Sequence, residues 1–359
     1  MKKKIMIGLL AIALVVSGFS CSSGKEKSTG SKGTKGSKQD VEIDMDKRRL
    51  EMISPFAYSN IDGLNVEPGT YISIIGRENA GSYWEAVKDG ANKAISDLNE
   101  AKGYEGKDKI KLVYSAPTQL GDVDQQINIL DEEMARYPVA IAISAADMKA
   151  CEVQFDLASE NNIVVVAFDT GSQYQGVMAN IGTNNVEAIQ KVAEEFSEKV
   201  APKSQVLIVS GDSKLKAEND RKNAFFDVLK LDPNEYTLLD PISLDDEETS
   251  LENILKENPD IKGIFTTGSQ ATTEVAQYMT REQEKGITLM GFDLSQETKD
   301  GLEQGYVDGI VEQNPYAMGY ASVVACIRAA LDMGNEAMVD TGFSWVTKDN
   351  VKSREIELY

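Results

Sequence analysis

The chain of 359 residues carries 58 Asp and Glu against 37 Lys and Arg, a formal net charge of −21, and contains no histidine. So acidic a surface repels a phosphate backbone, which excludes nucleic acid as a partner. The absence of imidazole excludes Ser-His-Asp and Cys-His catalysis and every metal centre that depends on histidine.

In chain order, residues 1–20 open with Lys2, Lys3 and Lys4, continue through the apolar stretch 5–16 and end in small residues before Cys21, which is the pattern of a secretory signal peptide. That stretch is too short for a comfortable membrane span, and no later run approaches the necessary length. Cys21 heads a Ser/Gly/Lys tract of the kind that behaves as a flexible tether. Residues 21–68 read as tether and stalk, with a short helix around 46–53. The segment before Cys21 resembles a bacterial lipoprotein cleavage site, departing from it at Gly18, where Leu is preferred, and at the bulky Phe19. Cys21 is therefore expected to carry lipid and to hold an exported protein on the outer face of the cell membrane.

The globular body is expected from about Thr70. A strand at 71–75 feeds a helix whose apolar positions Val87, Ala91, Ala94, Ile95 and Leu98 form one buried face. Ser82 and Glu85 have the spacing of a capping box, which would start that helix at Tyr83 and Trp84. Strand-like runs at 110–114, 139–143 and 163–168 alternate with helices through Val123, Ile127, Leu130 and Met134 and through Val153 and Leu157. A second series has a helix at 185–200, a strand at 205–209 and a helix through Phe225, Phe226 and Leu229. Strands near 236–239, 261–266, 287–292 and 307–311 follow, then a helix at 316–331 and a strand near 343–346. Such alternation implies parallel sheets covered by helices on both faces. About ten strands exceed one doubly wound sheet, so the expected fold is α/β with two doubly wound lobes. Cys151 and Cys326 fall in apolar helical patterns and read as buried free thiols.

Polar residues stand where the apolar strands end: Glu78 and Asn79, Ser144 and Asp147, Asp169, Asp212 with Arg221 further on, Thr267 to Gln270, Asp293 and Gln313. Asp147 and Asp212 read as caps or turn formers. In open parallel sheets all strand carboxyl ends converge on one crevice, where ligands bind. Asp169 and Asp293 each end an almost wholly apolar strand, where a carboxylate is costly without a partner or a ligand. Carboxylates, an Arg fork and an amide match vicinal hydroxyls, and the rings of Tyr83 and Trp84 suit the C–H face of a sugar. Neither a dinucleotide fingerprint, a phosphate loop nor a Ca²⁺ loop occurs, so no cofactor and no metal are expected.

Taken together, the aromatic pair followed by VKDGA at 87–91, Phe168-Asp169, IGTNNV at 181–186, Arg221 four residues before Phe225, GFD at 291–293 and Gln313 resemble the type I periplasmic sugar-binding proteins, nearest to ribose-binding protein. The resemblance covers about residues 71–347. It implies a first lobe of 69–181 plus 313–343 and a second of 182–312 plus 344–359, joined by a three-stranded hinge with crossings near 179–182, 311–315 and 345–347. It also implies that Tyr83 and Trp84 stack on the ligand while Asp169, Arg221, Asp293 and Gln313 bind hydroxyls, with Glu78, Asn79, Ser144, Thr170, Gly268 and Gln270 completing the site. The chain departs from the ribose binders at Gly81-Ser82, where they have Asn-Pro, at Thr170, where they have Arg, at Gly268-Ser269, where they have Asn-Asp, and at Ser144, where they have Asn. The function implied is that of a monomeric solute-binding lipoprotein, not an enzyme. It would pass a small sugar or polyol to the permease and ATPase subunits of an ABC importer. The alternatives are a ligand-sensing co-receptor for a sensor kinase and a binder of a furanosyl autoinducer-type signal.

Overall fold

A computed structural model of the chain describes residues 38–354 apart from Pro233 and Glu247, with the backbone alone for residues 38–44, 353 and 354. The expected signal peptide, Cys21 and the start of the tether lie outside the described residues. The first half runs α1 (Lys38–Glu51), β1 (Tyr71–Ile75), α2 (Ser82–Lys102), β2 (Lys111–Ser115), α3 (Val123–Met134), β3 (Ala140–Ile143), α4 (Glu152–Glu160), β4 (Val164–Phe168) and β5 (Val177–Gly182). The second runs α5 (Asn185–Lys199), β6 (Gln205–Ser210), α6 (Lys216–Lys230), β7 (Thr237–Leu238), β8 (Ile242–Ser243), α7 (Leu251–Glu257), β9 (Ile261–Thr266), α8 (Ser269–Glu282), β10 (Thr288–Phe292), α9 (Gln296–Gln304) and β11 (Gly309–Gln313). Then come α10 (Pro315–Ala330), β12 (Met338–Asp340) and β13 (Phe343–Val346).

Two sheets result, as the alternation predicts. The first, β12-β5-β4-β3-β1-β2, is wholly parallel; the second, β13-β11-β10-β9-β6-β7 with β8 also on β6, is parallel except for the antiparallel β13. In each, the strand order reverses beside the first strand of its series, between β1 and β3 and between β6 and β9. The period of two along the strands sends alternate side chains to opposite faces. Ile72, Ile74, Ala140 and Ala142 pack under α2 and α10, whereas Ile75, Ile141 and Ile143 pack with Leu130, Cys151 and Phe155 of the opposite layer. The second sheet repeats the scheme, with Leu207, Ile264 and Leu289 under α8 and Val206, Phe265 and Met290 under α5 and α6.

α10 is buried on nearly every side, as a helix apolar all round must be. It lies against α2 so closely that a Cβ on Gly319 would stand 1.9 Å from the carbonyl oxygen of Val87, and one on Gly90 1.9 Å from that of Tyr316. Asn314 caps α10 by accepting the Ala317 amide at 3.1 Å, and Pro315 supplies the fixed first-turn φ. Cys151 and Cys326 are buried and free, as expected. Among the described residues no helix is long and apolar enough to cross a membrane, and no cluster of His, Cys, Asp and Glu could hold a metal ion.

Three expectations need correction. Residues 50–68 are part of the globular body and not a stalk: Ile53, Tyr58, Leu64 and Val66 are buried in the core beneath α10. Ser54 also exchanges two backbone hydrogen bonds with Asp340, covering the edge of the first sheet. These apolar positions follow no single period, so neither a helix nor a strand announces them. The capping box is absent, because Ser82 is already helical; Gly81, with φ of 99°, is the N-cap, and its carbonyl accepts the Glu85 amide. Finally, the third crossing between sheets falls at 340–343 and not at 345–347, since Trp345 already pairs with Val311 in the second sheet.

Candidate functional site

The carboxyl ends of β1, β4, β6, β9, β10 and β11 face one cleft of about 450 Å³ between the two sheets. Asp169 follows β4 and Asp293 follows β10, and the two are built alike. Each has left-handed backbone, with φ of 60° and 65°, and each donates its amide at 2.9 Å to a carbonyl of the neighbouring strand, Ile181 and Val311 respectively. Non-glycine residues held at positive φ carry a small strain, and Asp tolerates it better than most. The turn that costs this strain aims both carboxylates into the cleft.

Their surroundings differ. Asp169 accepts the Tyr83 hydroxyl at 2.8 Å and the Ser144 hydroxyl at 2.7 Å, and the Arg77 guanidinium lies 3.5 Å away. Burial and the nearby carboxylates of Asp169 and Asp293 push the Tyr83 phenol well above its ordinary value, so it stays a neutral donor. Asp293 takes its hydrogen bonds from Gln313, whose Nε2 lies 3.1 Å from each oxygen and whose backbone N–H also bears on the carboxylate. Burial pushes its carboxyl up to about 6, against the opposing pull of the Arg221 charge and the Gln313 hydrogen bond.

Arg221, on α6, lies 3.9 Å over the Phe292 ring and is itself buried. Its guanidinium donates to Asn185 Oδ1 at 2.8 Å, the Thr267 carbonyl at 2.9 Å and Gln313 Oε1 at 2.8 Å. A guanidinium has five N–H groups, so two remain beyond these three bonds. Gln313 Oε1 also accepts the Thr183 hydroxyl at 3.0 Å, which makes Gln313 the junction between Arg221, Asp293 and the first crossing.

Of the remaining expected residues, Glu78, Thr170, Gly268 and Gln270 line the cleft, and Thr170 also donates its hydroxyl to the Ala145 carbonyl. Ser144 is fully buried and reaches the cleft only through Asp169. Asn79 lies outside it: its amide binds the Pro117 carbonyl, its own carbonyl accepts Lys88, and the residue is exposed. Trp84 touches the cleft but is only 4 % exposed, edge-on to Tyr83 and Phe168 and under the Arg77 guanidinium. Trp84 thus anchors α2 to the core, while Tyr83 faces Asp169. Asp147 and Asp212 are turn formers, as expected, each accepting an amide two residues on.

Sequence reasoning missed Arg77, Glu218 and Gln126. Arg77 stands two residues beyond β1, after Gly76, and obeys the same strand-end rule that found Glu78. Glu218 stands three residues before Arg221, on the same helical face. Gln126 is fully buried on α3 and ties two strand ends together, donating to the carbonyls of Gly76 and Ser144 and accepting the Ala146 amide. Nothing in the sequence marks it.

A family model described as periplasmic binding protein domain matches residues 72–335. Among curated proteins, the D-ribose/D-allose-binding protein of Pseudomonas aeruginosa is 23% identical over 251 residues, which is 67% of this chain and 76% of that protein. The xylose/arabinose-binding protein of Sulfolobus acidocaldarius is 25% identical over 118 residues, covering 30% of this chain and 29% of that protein. Among solved structures, a carbohydrate transporter solute-binding protein from Agrobacterium radiobacter in complex with D-arabinose superposes with a TM-score of 0.68 at 25% identity, over 80% of this chain and 97% of that one. An ABC transporter solute-binding protein from Burkholderia graminis, also with D-arabinose, gives a TM-score of 0.70 at 24% identity, over 80% and 99%.

Proposed function

Because the chain belongs to the periplasmic binding protein domain family, we propose that it is an extracytoplasmic solute-binding protein that captures a monosaccharide or sugar-like ligand between its two lobes and presents it to an ABC importer. One observation carries the reading: Asp169 and Asp293, each on a strained strand end of a different sheet, are aimed into the same cleft. Ligand hydroxyls donating to both would favour a closed arrangement of the lobes, because only there are both carboxylates reached at once. The spare N–H groups of Arg221 add donors for ring and hydroxyl oxygens, and Tyr83, whose hydroxyl hydrogen goes to Asp169, leaves its oxygen as an acceptor. The names of the curated relatives and the sugars in the solved complexes support the same chemistry.

The lipid on Cys21 and the place on the outer face of the membrane belong to the same proposal, supported by the signal-type segment before that residue. The site would bind and release its ligand without turnover. A thermal-shift panel of pentoses, hexoses and polyols tests it, since a ligand at about 100 times its Kd adds roughly 2.7 kcal/mol of stability. Silence across the panel extended to derivatives of these sugars, or chemical conversion of a bound sugar, would sink the reading.

A further inference from the structure

Among the described residues, the cleft is lined by the carboxylates of Glu78, Asp169, Asp212, Glu218, Asp293 and Glu312 but by only two cations, Arg77 and Arg221. One of these carboxylates has a free acceptor. Glu218 is 8 % exposed, and its Oε2 takes the Gly211 amide at 2.8 Å, the Thr267 hydroxyl at 2.7 Å and, more distantly, the Asp212 amide at 3.5 Å. Its Oε1 accepts nothing among the described residues, and no Lys or Arg among them forms an ion pair with the carboxylate. Gly268 makes room for that oxygen: a Cβ there would stand 2.5 Å from Glu218 Oε1. The Gly268 backbone is extended, with φ of −159°, so the glycine answers to space and not to a turn.

The Glu218 carboxylate thus has one oxygen satisfied and one open to the solvent of the cleft, where a ligand's donor, most favourably a charged one, can replace water. Arg77 lies by Asp169 and the charge of Arg221 acts on Asp293, so two cations stand against six carboxylates. A metal ion does not answer the need, because no group of these carboxylates comes close enough together to hold one. A neutral hydroxyl would fill the acceptor but leave the excess negative charge. We propose that the ligand carries a protonated amine, as an amino sugar or amino polyol does, and that its N–H donates from the cleft to Glu218 Oε1, the oxygen that packs against Gly268. This deepens the sugar-binding reading above and rests on it.

The test is calorimetry on the full chain at pH 7 with aminopentoses and aminohexoses bearing the amine on each carbon in turn, each paired with its hydroxyl parent. At least one amine should bind ten or more times tighter than its parent. Glu218→Gln should bring that ratio to within threefold. Gly268→Ala, which places a methyl group against Oε1 while leaving the charge in place, should do the same and decides the matter if the first variant does not fold. A parent that binds as tightly as its amine in every pair overturns the inference and leaves the sugar reading standing. An amine preference that survives both substitutions overturns the role of Glu218. Silence with all sugars, aminated or not, takes down the sugar reading as well.

Discussion

Asp293 offers the sharpest test of how the cleft is built. Its carboxyl is pushed from an ordinary 3.8 up to about 6, first by burial. A raised acid means that the folded protein holds a proton which the unfolded chain has already released, so stability falls as pH rises between about 4 and 6 and is level above that window. A tenfold change in acidity corresponds to about 1.4 kcal/mol, so the rise amounts to roughly 3 kcal/mol, which the residual exposure of the side chain lowers to about 2 kcal/mol. Asp293→Asn removes the charge and so the cost. Urea unfolding of the two proteins without ligand from pH 4 to 7.5 should show the variant about 2 kcal/mol more stable at pH 7, converging with the parent near pH 4. The variant should at the same time lose ligand. In the parent, a ligand that needs the ionised carboxylate should bind about tenfold more weakly at pH 5 than at pH 7. Equal pH slopes in the two proteins, or a less stable variant at pH 7, would refute the account of Asp293 as a desolvated carboxylate kept for binding.

Arg221→Ala should abolish ligand binding and cost about 2–4 kcal/mol, because Gln313 Oε1, Asn185 Oδ1 and the Thr267 carbonyl lose a charged donor in a buried place; Arg221→Lys should not restore affinity, since the compact ammonium lacks the planar fork that spans these three acceptors and still leaves two N–H groups. Gly319→Val should prevent α10 from docking on α2 and lower the melting temperature by more than ten degrees, against which an unchanged melting curve would count. Tyr58→Ala should cost about 3–5 kcal/mol in chemical denaturation, because the ring lies wholly inside the first core and its hydroxyl joins Asn335 and the Glu336 amide.

Much of this architecture is legible in the sequence, and for a physical reason. The strands are buried on both faces, so they read as continuous apolar runs, and the polar residue that ends each run marks the face where ligands gather. That rule alone locates Glu78, Asp169, Asp293 and Gln313, and it applies equally to Arg77. What it cannot deliver are features set by three-dimensional closeness. Gln126 is one polar residue on an ordinary helix until the ends of β1 and β3 close around it. Ile53, Tyr58, Leu64 and Val66 have no shared period because they pack from irregular backbone, so the segment reads as stalk. Tyr83 and Trp84 are neighbours on one helical turn about 100° apart, and only the packed lobe determines that one faces Asp169 while the other turns to Phe168.

The two strand-end aspartates share a backbone but divide the work. Asp169 is already served by two hydroxyls and a guanidinium from its own lobe, so its wall of the cleft is organised before any ligand arrives. Asp293 is hydrogen-bonded by Gln313 with no hydroxyl beside it, and burial holds its carboxyl near 6, so its wall gains most from a ligand's donors. A ligand would then dock on the first lobe and draw its closing energy from the second, where the uncompensated groups lie. The same substitution should therefore have opposite effects at the two sites. Asp169→Asn breaks the charge-assisted bonds from Tyr83 and Ser144 and should destabilise the free protein by about 1–2 kcal/mol, whereas Asp293→Asn should stabilise it. Urea midpoints of the two variants at pH 7 decide the point, and shifts of the same sign would mean that the division of labour does not exist.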